Sequence, residues 1–172
     1  MNRRSITPFI LALLAAGIMA SSAFSEAMEE FHRTYTISDG APVSVKNVSG
    51  TITIGTWDKP HADVLAVKRT RHGTSELKRV DIVVNTSGGL EIRTDYRNSS
   101  GGSSFWDNFF GWKSSPQVSV DITLKLPRGA QIRDVSSVSG TINVDAVRGA
   151  GTIRAISGDI RVTDVQGPFE LK

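Results

Sequence analysis

Val138-Ser139-Gly140-Thr141-Ile142-Asn143-Val144 and Ile156-Ser157-Gly158-Asp159-Ile160-Arg161-Val162 are nearly the same seven residues written twice, 18 positions apart. Between and after them stand Val147-Arg148-Gly149 and Val165-Gln166-Gly167, so glycine recurs every nine residues at 140, 149, 158 and 167. An apolar residue lies two before each glycine (Val138, Val147, Ile156, Val165), and another four after it (Val144, Ile153, Val162, Leu171). The residues between are mostly polar. Alternation of period two places one set of side chains inward and the other outward on an extended strand. Glycine held at one phase marks a bend or a close approach of backbone. Strand and corner in regular succession predict an all-β fold of the β-solenoid or β-helix kind. It has nine-residue faces and 18-residue rungs, with Ile142 stacked on Ile160, Val144 on Val162 and Val147 on Val165.

The same motif occurs early. Val48-Ser49-Gly50-Thr51-Ile52-Thr53-Ile54 nearly copies 138–144, and Val43 and Val45 hold the matching phase nine residues before its inward pair. A long middle section separates the copies. It predicts a strand over 62–70, one helical turn through Leu77, a hairpin of 80–84 and 90–94 around Gly88-Gly89, and an alternating strand from Val118 to Leu126. Period nine also occurs in calcium-binding repeats, but those need an aspartate at fixed phase. Asp145, Asp159 and Asp164 share no phase, and the required positions hold valine, isoleucine and serine.

The N-terminus reads as a signal peptide over residues 1–25, including its apolar helix. Arg3 and Arg4 precede an apolar run from Ile6 to Ala20, and Ser21-Ser22-Ala23 supplies small residues for cleavage. The run is shorter than the ~20 residues that span a bilayer, so no transmembrane anchor is expected after cleavage. Residues 26–40 form an N-terminal segment and 41–172 the β domain. Lys plus Arg falls from 20 to 18 against 17 acidic residues once Arg3 and Arg4 are removed, leaving the chain near +1. With charges mixed along it, nothing suggests nucleic acid as a partner. There is no cysteine, which excludes disulfides, thiolate metal sites and cysteine nucleophiles.

Residues 98–116 interrupt the pattern. After the flexible composition of Asn98 to Ser104, the segment carries Phe105, Trp106, Phe109, Phe110 and Trp112, five of the twelve aromatic residues within eight positions. Either the rings fold back to cover an open end of the stack, or they stand exposed to engage a surface partner, protein or glycan. These five are the candidate binding residues. No candidate catalytic residues emerge: His32, His61 and His72 are not at metal-ligand spacing, and no nucleophile elbow, phosphate loop or dinucleotide fingerprint occurs. Neither a metal nor a cofactor is expected.

The Val-Ser-Gly-[Thr/Asp]-Ile-x-Val units, preceded by Leu126-Pro127-Arg128-Gly129, resemble the bacterial "putative adhesin" domain family over about residues 41–172. The resemblance implies an extracytoplasmic solenoid-like domain in a bacterial envelope and carries over no catalytic residues. The expectation is a non-enzymatic exported protein of the periplasm or cell surface, an adhesin-like binding module. Two other readings compete with it. One is a β-helix carbohydrate-active enzyme, which needs paired carboxylates on one outward face. The other is self-association through an open C-terminal edge carrying Phe169 and Leu171.

Overall fold

The computed structural model describes residues 26–96 and 117–172. The signal-peptide expectation and the whole aromatic segment of residues 98–116, including Phe105, Trp106, Phe109, Phe110 and Trp112, lie outside the described residues. Within them the chain is almost entirely strand. The elements are β1 (Ala27–Thr36), β2 (Pro42–Ser49), β3 (Ile52–Trp57), β4 (His61–Thr70), α1 (Thr74–Leu77), β5 (Val80–Asn85), β6 (Leu90–Tyr96), β7 (Ser119–Pro127), β8 (Gln131–Ser139), β9 (Ile142–Asp145), β10 (Arg148–Ser157), β11 (Ile160–Thr163) and β12 (Phe169–Leu171).

These strands make two six-stranded mixed sheets, β1-β4-β7-β3-β9-β11 and β12-β10-β8-β2-β6-β5. This corrects the β-solenoid expectation. The all-β class stands, but the sheets do not close into a β-helix, because the chain reverses direction in both. β4 runs antiparallel to β1 and to β7, and β5 runs antiparallel to β6. The parallel pairing suggested by the glycine motif is confined to the other strands. There Ile142 lies opposite Ile160 and Val144 opposite Val162, an offset of 18. The early copy joins the same stack: Ile52 pairs Ile142, Ile54 pairs Val144, and β2 lies beside β8.

The inward phases of most strands supply one core, against which Ala27, Phe31 and Tyr35 of β1 are only partly buried. Val43, Val45, Ile52, Ile54, Val64, Leu90, Ile92, Ile122, Leu124, Ile132, Ile142 and Ile153 are buried in it together. The alternation in β4, with Ala62, Val64 and Ala66 buried between half-exposed neighbours, shows the period-two rule at work. Fully burying each large aliphatic side chain contributes about 1.5–3 kcal/mol. In a chain without disulfides that burial carries the fold.

The sheets are also tied by polar groups. Asn47 on β2 is fully buried. Its Nδ2 donates across the core to the Val120 carbonyl of β7 at 2.8 Å, and its Oδ1 accepts from the Val48 amide and the Thr94 hydroxyl. The Tyr96 hydroxyl donates to the Val118 carbonyl at 3.0 Å. Burial pushes the Tyr96 phenol well above its ordinary range.

The glycine phase has a steric origin visible in the coordinates. Gly50, Gly140 and Gly158 stand in one column, all with positive φ. A Cβ on Gly140 would lie 2.0 Å from the Gly50 carbonyl oxygen, and one on Gly158 would lie 2.0 Å from that of Gly140. Gly167 stands in the same relation to Gly149, at 1.9 Å. Each corner carbonyl therefore occupies the space where the next residue in the stack would carry its side chain.

Candidate functional site

The stack leaves two ends, and each is open in a different way. At one end the edge strands are β1 and β5; at the other they are β11 and β12.

The β11–β12 end is marked by a gradient of exposure among residues of equal phase. Val138 is 4% exposed, whereas Ile156, 18 residues on, is 51% exposed. Ile142 and Val144 are fully buried, while Ile160 and Val162 above them are only half-buried. Leu171 is 54% exposed, and Phe169 and Val165 are half-buried beside it. Of the three large hydrophobic side chains standing exposed among the described residues, two, Ile156 and Leu171, are here. The backbone follows the same logic. The amides of Gly140, Ile142, Gly149 and Gly151 donate to the carbonyls of Ser157, Asp159, Gln166 and Pro168 in the tier above. Their counterparts 18 residues on, Gly158, Ile160, Gly167 and Phe169, belong to the edge strands or their corners, with no further strand beside them among the described residues. An edge of this kind is a template for another strand.

At the other end an open cleft of about 590 Å³ runs between the edge strands, lined by Glu29, Glu30 and Phe31 of β1, Lys68 of β4, and Asp81 to Val84 of β5. Lys68 occupies the inward phase of β4 after Ala62, Val64 and Ala66. Its side chain is 8% exposed, and Nζ donates to Glu29 Oε1 at 2.7 Å and, at 3.4 Å, to the Leu77 carbonyl. The sequence does signal this residue, as a lysine at a core phase of an alternating strand. The reading by motif passed over it. Glu29 and Glu30 follow closely on the cleavage region that the sequence suggests. They belong to β1, which is paired with β4 over ten residues.

The remaining candidate groups are dispersed. His32 Nε2 meets Asp63 Oδ1 at 2.9 Å, and the His61 ring packs edge-on against Trp57 with centroids 5.0 Å apart. The Trp57 Nε1–H donates to the His61 carbonyl. Arg128 forks onto the exposed Asp58 and holds that carboxyl below its ordinary range. Arg161 meets Asp159 at 3.4 Å. Among the described residues no three His, Asp or Glu side chains cluster as metal ligands. Nor is any helix there long and apolar enough to cross a membrane.

No family model matches the chain, and no curated protein matches it. Among solved structures it is similar to a "putative cell adhesion protein" from Clostridium sporogenes. The identity is 10%, covering 83% of this chain and 98% of that one, with a TM-score of 0.36. It is also similar to a "putative adhesin" from Bacteroides fragilis, at 9% identity, 83% and 95% coverage, and a TM-score of 0.28. Likenesses this remote transfer neither architectural detail nor activity to the chain.

Proposed function

We propose that the protein is a non-enzymatic, exported envelope or surface module, adhesin-like, that holds a protein partner by strand addition at its β11–β12 end. The observation that carries this reading is the exposure gradient along the stack. The same aliphatic phases that are buried at Val138, Ile142 and Val144 lie open at Ile156, Ile160 and Val162, beside an edge of backbone donors and acceptors. A partner strand would satisfy both the apolar and the backbone deficit at once, which is the physical basis of β-augmentation. Export rests on the reading of residues 1–25. The carbohydrate-cleaving alternative would draw its carboxylates from the β1–β5 cleft, where Glu29 is engaged by Lys68.

Site-specific photo-crosslinking in intact producing cells tests the proposal. A crosslinker placed at Arg161 or Glu170, on the outermost strands, is expected to trap a polypeptide, whereas one at Thr34 on β1 traps none. Adducts only at Thr34, or adducts made of polysaccharide, would overturn it. Mass spectrometry of the cell-derived protein should show an N-terminus near Ala23 to Ala27; an intact residue 1 would refute export with cleavage.

A further inference from the structure

We infer that the open end selects its partner strand by glycine. A strand adding in parallel to β11 and β12 must carry glycine opposite Gly158 and again nine residues later opposite Gly167. This rests on the reading of the β11–β12 end as the contact surface and specifies what that surface accepts.

The argument comes from the tiers already filled. In one column the Gly50 carbonyl occupies the Cβ position of Gly140, and the Gly140 carbonyl that of Gly158, both at 2.0 Å. In the other, the Gly149 carbonyl occupies the Cβ position of Gly167 at 1.9 Å, while a Cβ on Gly149 would itself meet the Ile132 carbonyl oxygen at 2.5 Å. A contact at these distances is with backbone, which cannot swing aside. Among the described residues Gly158 and Gly167 are the outermost members of their columns. Any strand that continues the stack meets their carbonyls as Gly158 meets that of Gly140. The aliphatic phase is set in the same way. Ile160 and Val162 stand over Ile142 and Val144, so the added strand brings apolar residues two and four positions after its first glycine. The occupant is thus an extended polypeptide of the form Gly-x-aliphatic-x-aliphatic with a second glycine nine residues on. Charge plays little part, because the outward positions of this end mix Arg161 and Lys172 with Asp159 and Glu170.

The probe is a synthetic 18-residue peptide with the sequence of Val138 to Ala155, which carries the glycines at the required spacing. Its control is the same peptide with Gly140→Ala and Gly149→Ala. Each is added to the full mature protein, and amide hydrogen exchange is followed at Gly158, Ile160, Gly167 and Phe169. The glycine peptide is expected to slow exchange at these four amides. The alanine peptide should bind at least about tenfold more weakly, since each added methyl would meet a backbone carbonyl as the Cβ positions of Gly158 and Gly167 do in the existing tiers. Each peptide is also fused behind Lys172 through a Gly/Ser linker, which raises its local concentration to the order of millimolar. The glycine fusion should then unfold at a higher temperature than the alanine fusion. Equal protection and equal melting with both peptides would overturn the glycine rule while leaving the open end as a docking edge. No protection and no stabilisation with either would overturn the docking edge itself.

Discussion

Replacing Gly140 by alanine should be among the most damaging single-methyl additions this chain can receive. The new Cβ would stand 2.0 Å from the Gly50 carbonyl oxygen and 2.8 Å from its carbon. An ordinary carbon–oxygen contact is about 3.3 Å, so more than ~1 Å must open between strands spaced ~4.8 Å apart. Opening it releases the flanking bonds from the Gly50 amide to the Ser139 carbonyl (3.1 Å) and from the Ile52 amide to the Thr141 carbonyl (2.9 Å). Two such bonds contribute about 1 kcal/mol each. The φ of 147° adds about 1–3 kcal/mol for a residue with a side chain, and the stiffer unfolded chain returns about 0.5 kcal/mol. The net loss is about 2.5–4.5 kcal/mol, a large part of a typical domain's ~5–15. Gly88→Ala is the control. Its φ is also positive, at 78°, but nothing lies within 4 Å of the added Cβ, so it should lose only about 1–2 kcal/mol. Urea denaturation of both variants, followed by far-UV circular dichroism, measures the difference. If Gly140→Ala loses no more than Gly88→Ala, carbonyl crowding is not the reason for the nine-residue glycine phase.

The Lys68–Glu29 pair should respond asymmetrically to its two deletions. Glu29→Ala strands an ammonium whose side chain is 8% exposed and should cost about 1–2 kcal/mol after allowing for the half-exposed carboxylate. Lys68→Met should be neutral or stabilising in the same melt, and a large loss there would show the charge to be needed for the fold. Asn47→Ala removes the buried partner of the Val120 carbonyl and of the Thr94 hydroxyl, while the Val48 amide keeps only its 3.3 Å bond to Thr94 Oγ1. It should lower the urea-derived stability by about 3 kcal/mol, and a loss under 1 would refute the cross-core tie. Because the Tyr96 phenol is pushed up from its ordinary 10.0 by burial, its neutral form is favoured in the folded state. That contribution is complete below pH 10 and declines as pH rises toward the folded value. Wild-type urea midpoints should therefore fall between pH 9 and 11 more steeply than those of Tyr96→Phe, and equal slopes would show that Tyr96 is not the cause.

Both ends of the molecule show how far sequence reading reaches. The sequence offers Phe169 and Leu171 as the apolar residues of an edge. Ile156, in contrast, shares its sequence phase with the buried Val138, and only the tertiary structure shows that it stands exposed. Lys68 was legible as an anomaly in Ala62-Val64-Ala66-Lys68, but its meaning depends on Glu29, 39 residues earlier, and on the Leu77 carbonyl.

The sequence alone determined most of the strands after residue 41, their inward faces, and the 18-residue offset between Ile142 and Ile160, but not β1, which the sequence reading left as an N-terminal segment. These follow from alternation of side chains along a strand and from glycine where one backbone crowds another, and both leave marks within a few residues. Tertiary structure alone decided that the chain is two mixed sheets and not a solenoid. A strand such as β7 carries the same alternation whether its neighbour runs parallel, as β3 does, or antiparallel, as β4 does. Direction and order are settled by which distant edges meet, and period-two patterning is blind to that choice.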